Sequence, residues 1–149
     1  MNDYLWELLN NKMLICACMA WAVAQVLKTI LYFAVNKELN LARLTGDGGM
    51  PSGHSATVTA LATRACMEYG VGSAEFAITA ILAIIVMHDA MGVRRESGKH
   101  AKAINDLIEL LDSDMQLDIK LKEFIGHSPS QVTVGAVLGL MVALLSGLF

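Results

Sequence analysis

Long apolar runs dominate the hydrophobic pattern of this chain. Residues 13–35 form a run of 23 that only Gln25, Lys28 and Thr29 interrupt. Residues 132–149 form a run of 18 that carries no charge. Each run is long enough to cross a hydrocarbon core about 30 Å thick as an α-helix. The pattern therefore predicts a protein that spans a membrane.

Two further segments complete the predicted membrane part. Residues 74–91 are apolar until His88 and Asp89, and residues 55–69 are a weaker candidate, rich in small residues and carrying an arginine. The first run of the chain lacks the basic flank and the small-residue cleavage site of a signal peptide, so we interpret it as a retained helix. We therefore expect an all-α fold, a bundle of four membrane spans in one domain over residues 1–149.

The segment between the third and fourth spans, residues 98–124, is polar but patterned. Its apolar residues follow the three-and-four spacing of a helix face, and most acidic residues take the other side. The apolar set is Ile104, Leu107, Ile108, Leu111 and Met115. An amphipathic helix at the membrane surface, or over a site, fits this pattern better than a flexible connector. We interpret the acidic residues as a solvated face and not as a cation site; the densest of them are Asp112, Asp114 and Asp118.

The composition agrees with a membrane protein and argues against other classes. Hydrophobic residues make up 55% of the chain and charged residues 17%, an unusual balance for a soluble domain. The net charge of −3 and the lack of a clustered basic face argue against nucleic acid as a partner. The three cysteines, Cys16, Cys18 and Cys66, show no metal-ligand spacing. We interpret them as small apolar residues and expect neither a metal nor another cofactor.

Charge asymmetry predicts how the bundle is oriented. If the four spans alternate in direction, the loop before the second span, the end of the third and the segment before the fourth share one membrane face. That face holds nearly all the basic residues outside the spans: Lys37, Arg43, Arg94, Arg95, Lys99, Lys102, Lys120 and Lys122. Lys12 lies on the opposite side. The positive-inside rule then places the basic face in the cytoplasm.

A glycine-rich turn precedes the second span. Residues 48–55 read Gly-Gly-Met-Pro-Ser-Gly-His-Ser. Glycines allow backbone N–H groups to approach an anion closely, and the first turn of the following helix adds unpaired donors and the positive end of its dipole. The turn therefore predicts a phosphate cradle, over which His54 could protonate a departing oxygen.

A second histidine lies at the start of the fourth span. In residues 126–131, Gly-His-Ser-Pro-Ser-Gln, Ser128 can cap the helix and Pro129 suits its first position. His127 then lies just outside the helix, where its ring can face a neighbouring site. Asp89 ends an apolar helix, so we expect it to pair with an arginine or a histidine. The cations suited to a phosphoryl group on this face are Lys28, Arg43, Arg94 and Arg95.

The two motifs resemble those of a known family. Residues 51–54, Pro-Ser-Gly-His, are identical to the central signature of the type 2 phosphatidic acid phosphatases, which include vanadium haloperoxidases and bacterial acid phosphatases. Residues 127–132, with small residues at 135, 136 and 139, resemble the third signature of that family. Residues 24–28, 48–50 and 87–95 resemble its small divergent branch. The resemblance covers nearly the whole chain and implies a phosphatase.

The resemblance also implies a mechanism. His127 is the nucleophile that attacks phosphorus and forms a phosphohistidine, and His54 is the acid that protonates the leaving alkoxide. The equatorial oxygens are held, without a metal, by residues that stabilise the developing charge. These phosphate-binding residues are Lys28, Arg43, Ser52, Gly53, Arg94 and Arg95.

The spacing of two basic residues departs from the family pattern. The family has a lysine and an arginine seven apart, whereas Lys28 and Arg43 are separated by 14 residues. The arginine of the third signature precedes its histidine by six in the family, but Arg94 precedes His127 by 33. His100, six residues after Arg94, is therefore a rival nucleophile. We favour His127 because His100 lies on a polar helical stretch without a helix-capping context.

A third departure concerns the residue that orients the nucleophile. The family has an aspartate four residues after the histidine, where this chain has Gln131. A neutral amide can accept a hydrogen bond from the imidazole but cannot stabilise its positive charge as a carboxylate does. Either Gln131 orients His127, or Asp89 substitutes as the acid, or catalysis is reduced or lost.

These observations predict a lipid phosphatase in the plasma membrane of a bacterium, with its site facing the cytoplasm. Phosphatidylglycerophosphate, phosphatidate and isoprenoid phosphates or diphosphates all fit as substrates. A catalytically silent lipid-phosphate-binding protein or scaffold is the alternative, and Gln131 favours it. A small transporter ranks last because residues 132–149 offer few polar side chains. Since four short spans are few to enclose a site, we expect a homo-oligomer.

Overall fold

The computed structural model describes residues 2–38, 49–111, 121 and 126–148. Within these ranges the chain forms α1 (Asn2–Leu9), α2 (Lys12–Asn36), α3 (Gly53–Tyr69), α4 (Ala74–Met91), α5 (Val93–Leu111) and α6 (Pro129–Ser146). The described residues between these helices form turns and short loops. The predicted all-α fold is confirmed.

In the described part of the chain, three helical stretches are long and apolar enough to cross a membrane: Lys12–Asn36, Ala74–Leu110, which includes α4 and most of α5, and Pro129–Ser146. Large apolar side chains on these stretches are exposed on the outside of the bundle, among them Val26, Ile30, Ile78, Ile84, Val137 and Leu144. A soluble protein rarely exposes apolar surface of this extent, whereas lipid tails solvate it. The protein is an integral membrane helical bundle.

Helix α3 lies at the centre of the bundle. It packs against α2, α4 and α6, and most of its buried residues are small, including Ser55, Ala56, Ala60 and Ala65. Small residues let the backbones of membrane helices approach closely, which favours packing against protein. The weakest of the four predicted spans is thus a 17-residue helix that the other three contact. It is shorter than the three long apolar stretches and has few large apolar side chains.

Two glycines set the close approach of α3 and α6. A Cβ atom at Gly135 would collide with Ser52, and one at Gly139 would collide with the backbone of Ala56. The glycines are four residues apart and therefore share one face of α6. This face of α6 is therefore a helix-packing surface. The contact also holds Ser52, just before α3, against the first turns of α6.

Two helices lie outside this packed group. Helix α5 contacts α4 and exposes Val93, Ile104, Leu107 and Leu110. Helix α5 covers residues 98–111 of the predicted amphipathic segment, whereas residues 112–120 and 122–125, including the acidic cluster, lie outside the described residues. The sequence analysis did not predict α1, which exposes Tyr4 and Trp6. Tyrosine and tryptophan favour the membrane interface.

Candidate active site

Four helix ends meet on one side of the bundle: the last turns of α2, the start of α3, the end of α4 and the start of α6. Two backbone hydrogen bonds connect the segments there. The Ser52 N–H donates to the Gln131 carbonyl at 3.1 Å, and the His127 N–H donates to the Ala90 carbonyl at 2.9 Å. The two signature motifs, far apart in sequence, are therefore joined by the backbone itself.

The first motif forms a tight turn into α3. Gly49 has a φ of +83°, which favours glycine. The Ser52 side chain caps α3 by accepting from the Ser55 N–H at 3.3 Å, and the Ser55 hydroxyl lies 3.0 Å from the same oxygen. Both serines are fully buried. His54 follows in the first turn, where unpaired N–H groups and the helix dipole favour an anion.

Lys28 lies beside this turn. It is only 5% exposed, and its side-chain carbons lie 3.4 and 3.5 Å from the position a Cβ atom of Gly49 would take. A side chain at residue 49 would therefore crowd the lysine stem. The sequence analysis selected Lys28 for its depth in the first span, and the structure places it against the glycine-rich turn.

His127 lies in the second motif, close to His54. The two ring centroids are 6.0 Å apart, and the ring planes are inclined by 63°. His127 is buried, with 4% of its surface exposed. Two imidazoles at this separation can contact one phosphoryl group from two sides, which is the arrangement that a nucleophile and a general acid require.

Gly126 explains how His127 comes to lie near two arginines more than 30 residues earlier in the chain. Its φ is +92°. A Cβ atom at this position would lie 2.8 Å from the Arg94 carbonyl carbon and also collide with the Arg95 backbone. Only glycine allows the chain to cross the start of α5 so closely. The long insertion between Arg94 and His127 is thus compatible with their proximity.

Gln131 contacts His127 directly. Its Oε1 lies 3.2 Å from His127 Nδ1 and accepts the Ser128 N–H at 3.0 Å. The Ser128 side chain accepts from the Gln131 N–H in return, which completes a capping box at the start of α6. The helix cap predicted at Ser128, with Pro129 in the first turn, is therefore present, and the cap fixes the amide beside the imidazole.

This geometry determines which ring nitrogen of His127 carries the proton. Because the Ser128 N–H can only donate, the atom of Gln131 that receives it is the amide oxygen. His127 Nδ1 faces that same oxygen and must donate to it. In the neutral ring the lone pair then lies on Nε2.

Asp89 has a different partner. Its Oδ2 accepts from Arg94 Nε at 2.8 Å, across the turn between α4 and α5. The predicted pairing of Asp89 with an arginine or a histidine is therefore with Arg94. Both side chains are about two-fifths exposed, so the pair lies at the edge of the site where water reaches it.

The remaining residues selected from the sequence are distributed as follows. Gly53 begins α3, Arg95 and His100 are exposed on α5, and Arg43 lies outside the described residues. Sequence analysis missed Trp21, whose ring carbon Cδ1 lies 3.6 Å from a Cβ position at Gly53. Trp21 and Lys28 are seven residues apart, two helical turns on one face of α2, and this spacing could have indicated it.

Among the described residues no group of three or more histidine, cysteine, aspartate and glutamate side chains is placed to hold a metal ion. The described residues next to the two motifs include a lysine, two serines, an amide and the backbone N–H groups at the start of α3. Such donors suit a phosphoryl oxygen.

The family of this chain follows from its similarity to known proteins. The model described as "Divergent PAP2 family" matches residues 9–142. The chain is similar to the uncharacterized membrane protein YuiD of Bacillus subtilis (strain 168), with 40% identity over 155 residues that cover 96% of this chain and 98% of the relative. No solved structure matches it. The chain belongs to the divergent PAP2 family.

Proposed function

We propose that this protein hydrolyses a phosphate monoester or diphosphate carried by a membrane lipid. The observation that carries the proposal is the 6.0 Å separation of the His54 and His127 rings at the starts of two helices. The start of α3 contributes N–H groups, and Lys28 adds a buried cation. The site lies at one end of the membrane helices, where a lipid phosphate can enter while its tails remain in the bilayer.

His127 is the proposed nucleophile. Its Nδ1 donates to Gln131 Oε1, so in the proposed mechanism the other ring nitrogen, Nε2, attacks phosphorus. Attack forms an N–P bond and breaks the bond between phosphorus and the ester oxygen. His54 donates a proton to that oxygen, which leaves as an alcohol or, from a diphosphate, as a phosphate. Water then attacks the phosphohistidine while His54 takes its proton, which releases inorganic phosphate and regenerates His127.

The proposed phosphate-binding groups stabilise the negative charge of the phosphoryl group during its transfer. Lys28, Ser52 and the Gly53 N–H approach it from α2 and the start of α3. Arg94 and Arg95 approach from the start of α5, beside Gly126, and Arg43 is assigned to the site by resemblance alone. Fixed donors of this kind stabilise the transition state without a metal ion. In this arrangement Asp89 positions Arg94.

A catalytically silent lipid-phosphate binder is the second candidate. The neutral Gln131 in place of an acid favours it, because phosphoryl transfer leaves a positive charge on His127 that an amide stabilises less than a carboxylate. The phosphate-binding groups would then serve binding alone.

The proposal includes the orientation of the site. The site end of the bundle has more basic residues than the opposite end. Lys37 follows α2, and Arg94, Arg95, Lys99 and Lys102 lie on α5. The positive-inside rule favours a cytoplasmic site in the plasma membrane of a bacterium. Phosphatidylglycerophosphate, phosphatidate and isoprenoid phosphates are then the substrates to test.

A substrate panel separates the two candidate functions. Purified protein in mixed micelles is expected to release inorganic phosphate from at least one of these lipids, to be inhibited by vanadate, and to remain active in a metal chelator. Vanadate inhibits because it adopts the five-coordinate geometry of the transition state. Binding of these lipids without release of phosphate from any of them would favour the silent binder.

Replacing Gln131 with glutamate is expected to raise kcat by about 10-fold or more. The carboxylate would still accept the Ser128 N–H, so the capping box at α6 is retained, while its charge stabilises the imidazolium of His127. Gln131→Met removes the acceptor at similar size and is expected to lower kcat. Steady-state kinetics on the best lipid of the panel measure both. A folded Gln131→Glu variant no faster than the wild type would contradict the assigned role of Gln131.

A further inference from the structure

Gln25 is a buried amide that the proposed mechanism does not use. It lies within membrane helix α2 and is 7% exposed, yet its Oε1 has no hydrogen-bond partner among the described residues. A buried polar group without a partner costs about 1–3 kcal/mol. Such a group in a folded protein calls for an explanation, and a ligand that supplies the missing bond is one.

Gln25 lies on the part of α2 that contacts the glycine-rich turn of the phosphate site. Trp21, four residues earlier, packs against Gly53, and Lys28, three residues later, packs against Gly49. Residues three and four apart share a helix face. Gln25 therefore lies between the two points at which α2 contacts the glycine-rich turn, on the face that meets the start of α3.

Its depth differs from that of Lys28. Helix α2 ends at Asn36 on the site side of the bundle, and a helix rises 1.5 Å per residue, so Gln25 lies about 4.5 Å deeper in the membrane than Lys28. If Lys28 contacts the phosphate, Gln25 lies level with the first atoms of the alcohol to which the phosphate is esterified.

Lipid phosphates differ at that level. In a glycerol-based lipid phosphate the carbons next to the phosphate ester carry hydroxyl or ester oxygens. In an isoprenyl phosphate the same region is hydrocarbon. The Oε1 of Gln25, unpaired among the described residues, can only accept a hydrogen bond. A hydroxyl of the first class, as in phosphatidylglycerophosphate, can therefore pair with it, whereas the hydrocarbon of the second class leaves it unpaired.

We propose that Gln25 is a specificity-determining residue that hydrogen-bonds the polar alcohol next to the phosphate, an inference that rests on the proposed function. Gln25 selects glycerol-based lipid phosphates that carry a hydroxyl next to the phosphate ester over isoprenyl phosphates. Lys28 and the start of α3 bind the phosphate that both classes share, and Gln25 distinguishes the alcohol below it.

The test compares selectivity between the two lipid classes in the full-length protein. Phosphatidylglycerophosphate, which carries such a hydroxyl, represents the first class, and an isoprenyl phosphate represents the second. The wild type is expected to have the higher kcat/KM on the first class. Gln25→Leu, which keeps the size but removes both polar atoms, is expected to reduce that selectivity ratio by about 10-fold or more.

Thr59→Val is the matched control. The Thr59 hydroxyl is also buried without a partner among the described residues, but it lies on α3 more than one turn beyond His54. Removing it is expected to change the selectivity ratio by less than about twofold. The thermal unfolding midpoints of both variants report any shared structural effect of removing a buried polar group.

The binding version of the experiment separates this inference from the proposed function. Dissociation constants for the two lipid classes are measured in His127→Ala protein with and without Gln25→Leu, so no turnover is needed. A wild type without turnover on any lipid would contradict the proposed function, while a Gln25-dependent binding preference would still support the inference. Equal binding of both classes, or an unchanged ratio in Gln25→Leu, would overturn it.

Discussion

Replacing His127 with alanine is expected to lower the turnover of a lipid phosphate by about 1,000-fold or more while the protein remains folded. The ring supplies the atom that attacks phosphorus, and loss of a nucleophile removes the covalent route entirely. His127 is buried beside His54, but its backbone N–H makes the bond to Ala90 and is retained in the variant. Phosphate release, with a thermal unfolding curve, measures both parts of the prediction.

Two controls make this prediction specific. His100→Ala removes an exposed histidine of α5 that has the family spacing from Arg94, and its turnover is expected to match that of the wild type. Rapid quenching of the wild type under alkaline conditions, in which phosphohistidine is stable, is expected to trap a phosphoryl group on the peptide that contains His127. Near-normal turnover in His127→Ala, or loss of turnover in His100→Ala, would contradict the assignment.

The distinct role of His54 allows a further check within the same experiment. A general acid matters most when the leaving group is a poor one. His54→Ala is therefore expected to lose turnover of an alkyl phosphate but to retain part of its turnover of an aryl phosphate, whose leaving group needs no proton. His127→Ala is expected to lose both. Equal losses for the two substrates in His54→Ala would argue against its role as the acid.

Gly139→Ala is expected to destabilise the bundle by about 2 kcal/mol or more. The added Cβ would collide with the backbone of Ala56, which cannot move as the end of a flexible side chain can. Separating two packed helices to admit a methyl group typically costs about 1–3 kcal/mol. Gly139→Leu, with a larger side chain, is expected to prevent α3 and α6 from packing. Unfolding in a denaturing detergent, followed by circular dichroism, measures the difference.

Gly72→Ala is the matched control for this variant. It lies in the turn between α3 and α4, and an added Cβ there meets no atom within 4 Å. Its stability is expected to equal that of the wild type within about 0.5 kcal/mol. Equal stability of Gly139→Ala and Gly72→Ala would contradict the close approach of α3 and α6 at Gly139.

The membrane class and the helices could be predicted because the physics is local. A long apolar run must form a helix in lipid, since only a helix satisfies its own backbone hydrogen bonds there. Sequence analysis therefore placed the apolar runs of α2, α4 and α6. Helix α1 was missed because eight residues with two aromatic side chains give no span and only a short amphipathic pattern.

The central position of α3 could not be predicted from its hydrophobicity. It has the fewest large apolar side chains of the four bundle helices, which suggests a weak span in isolation. Its small residues allow close packing only because Gly135 and Gly139 of α6 lie opposite them. Burial in a bundle depends on the fit between two surfaces, and a single sequence segment does not contain its partner.

The site, like the fold, has some features that are local in sequence and others that depend on tertiary contacts. The sequence predicts the local features of the site: a glycine-rich turn before a helix, a capped second helix, two histidines and a lysine within a span. Each of them depends on residues that are neighbours in the chain. Which of these features meet depends on the tertiary packing. The packing places the His54 and His127 rings 6.0 Å apart and joins Ser52 to Gln131 and His127 to Ala90 through backbone hydrogen bonds, and these contacts could not be predicted because they connect helices and turns that lie far apart in sequence.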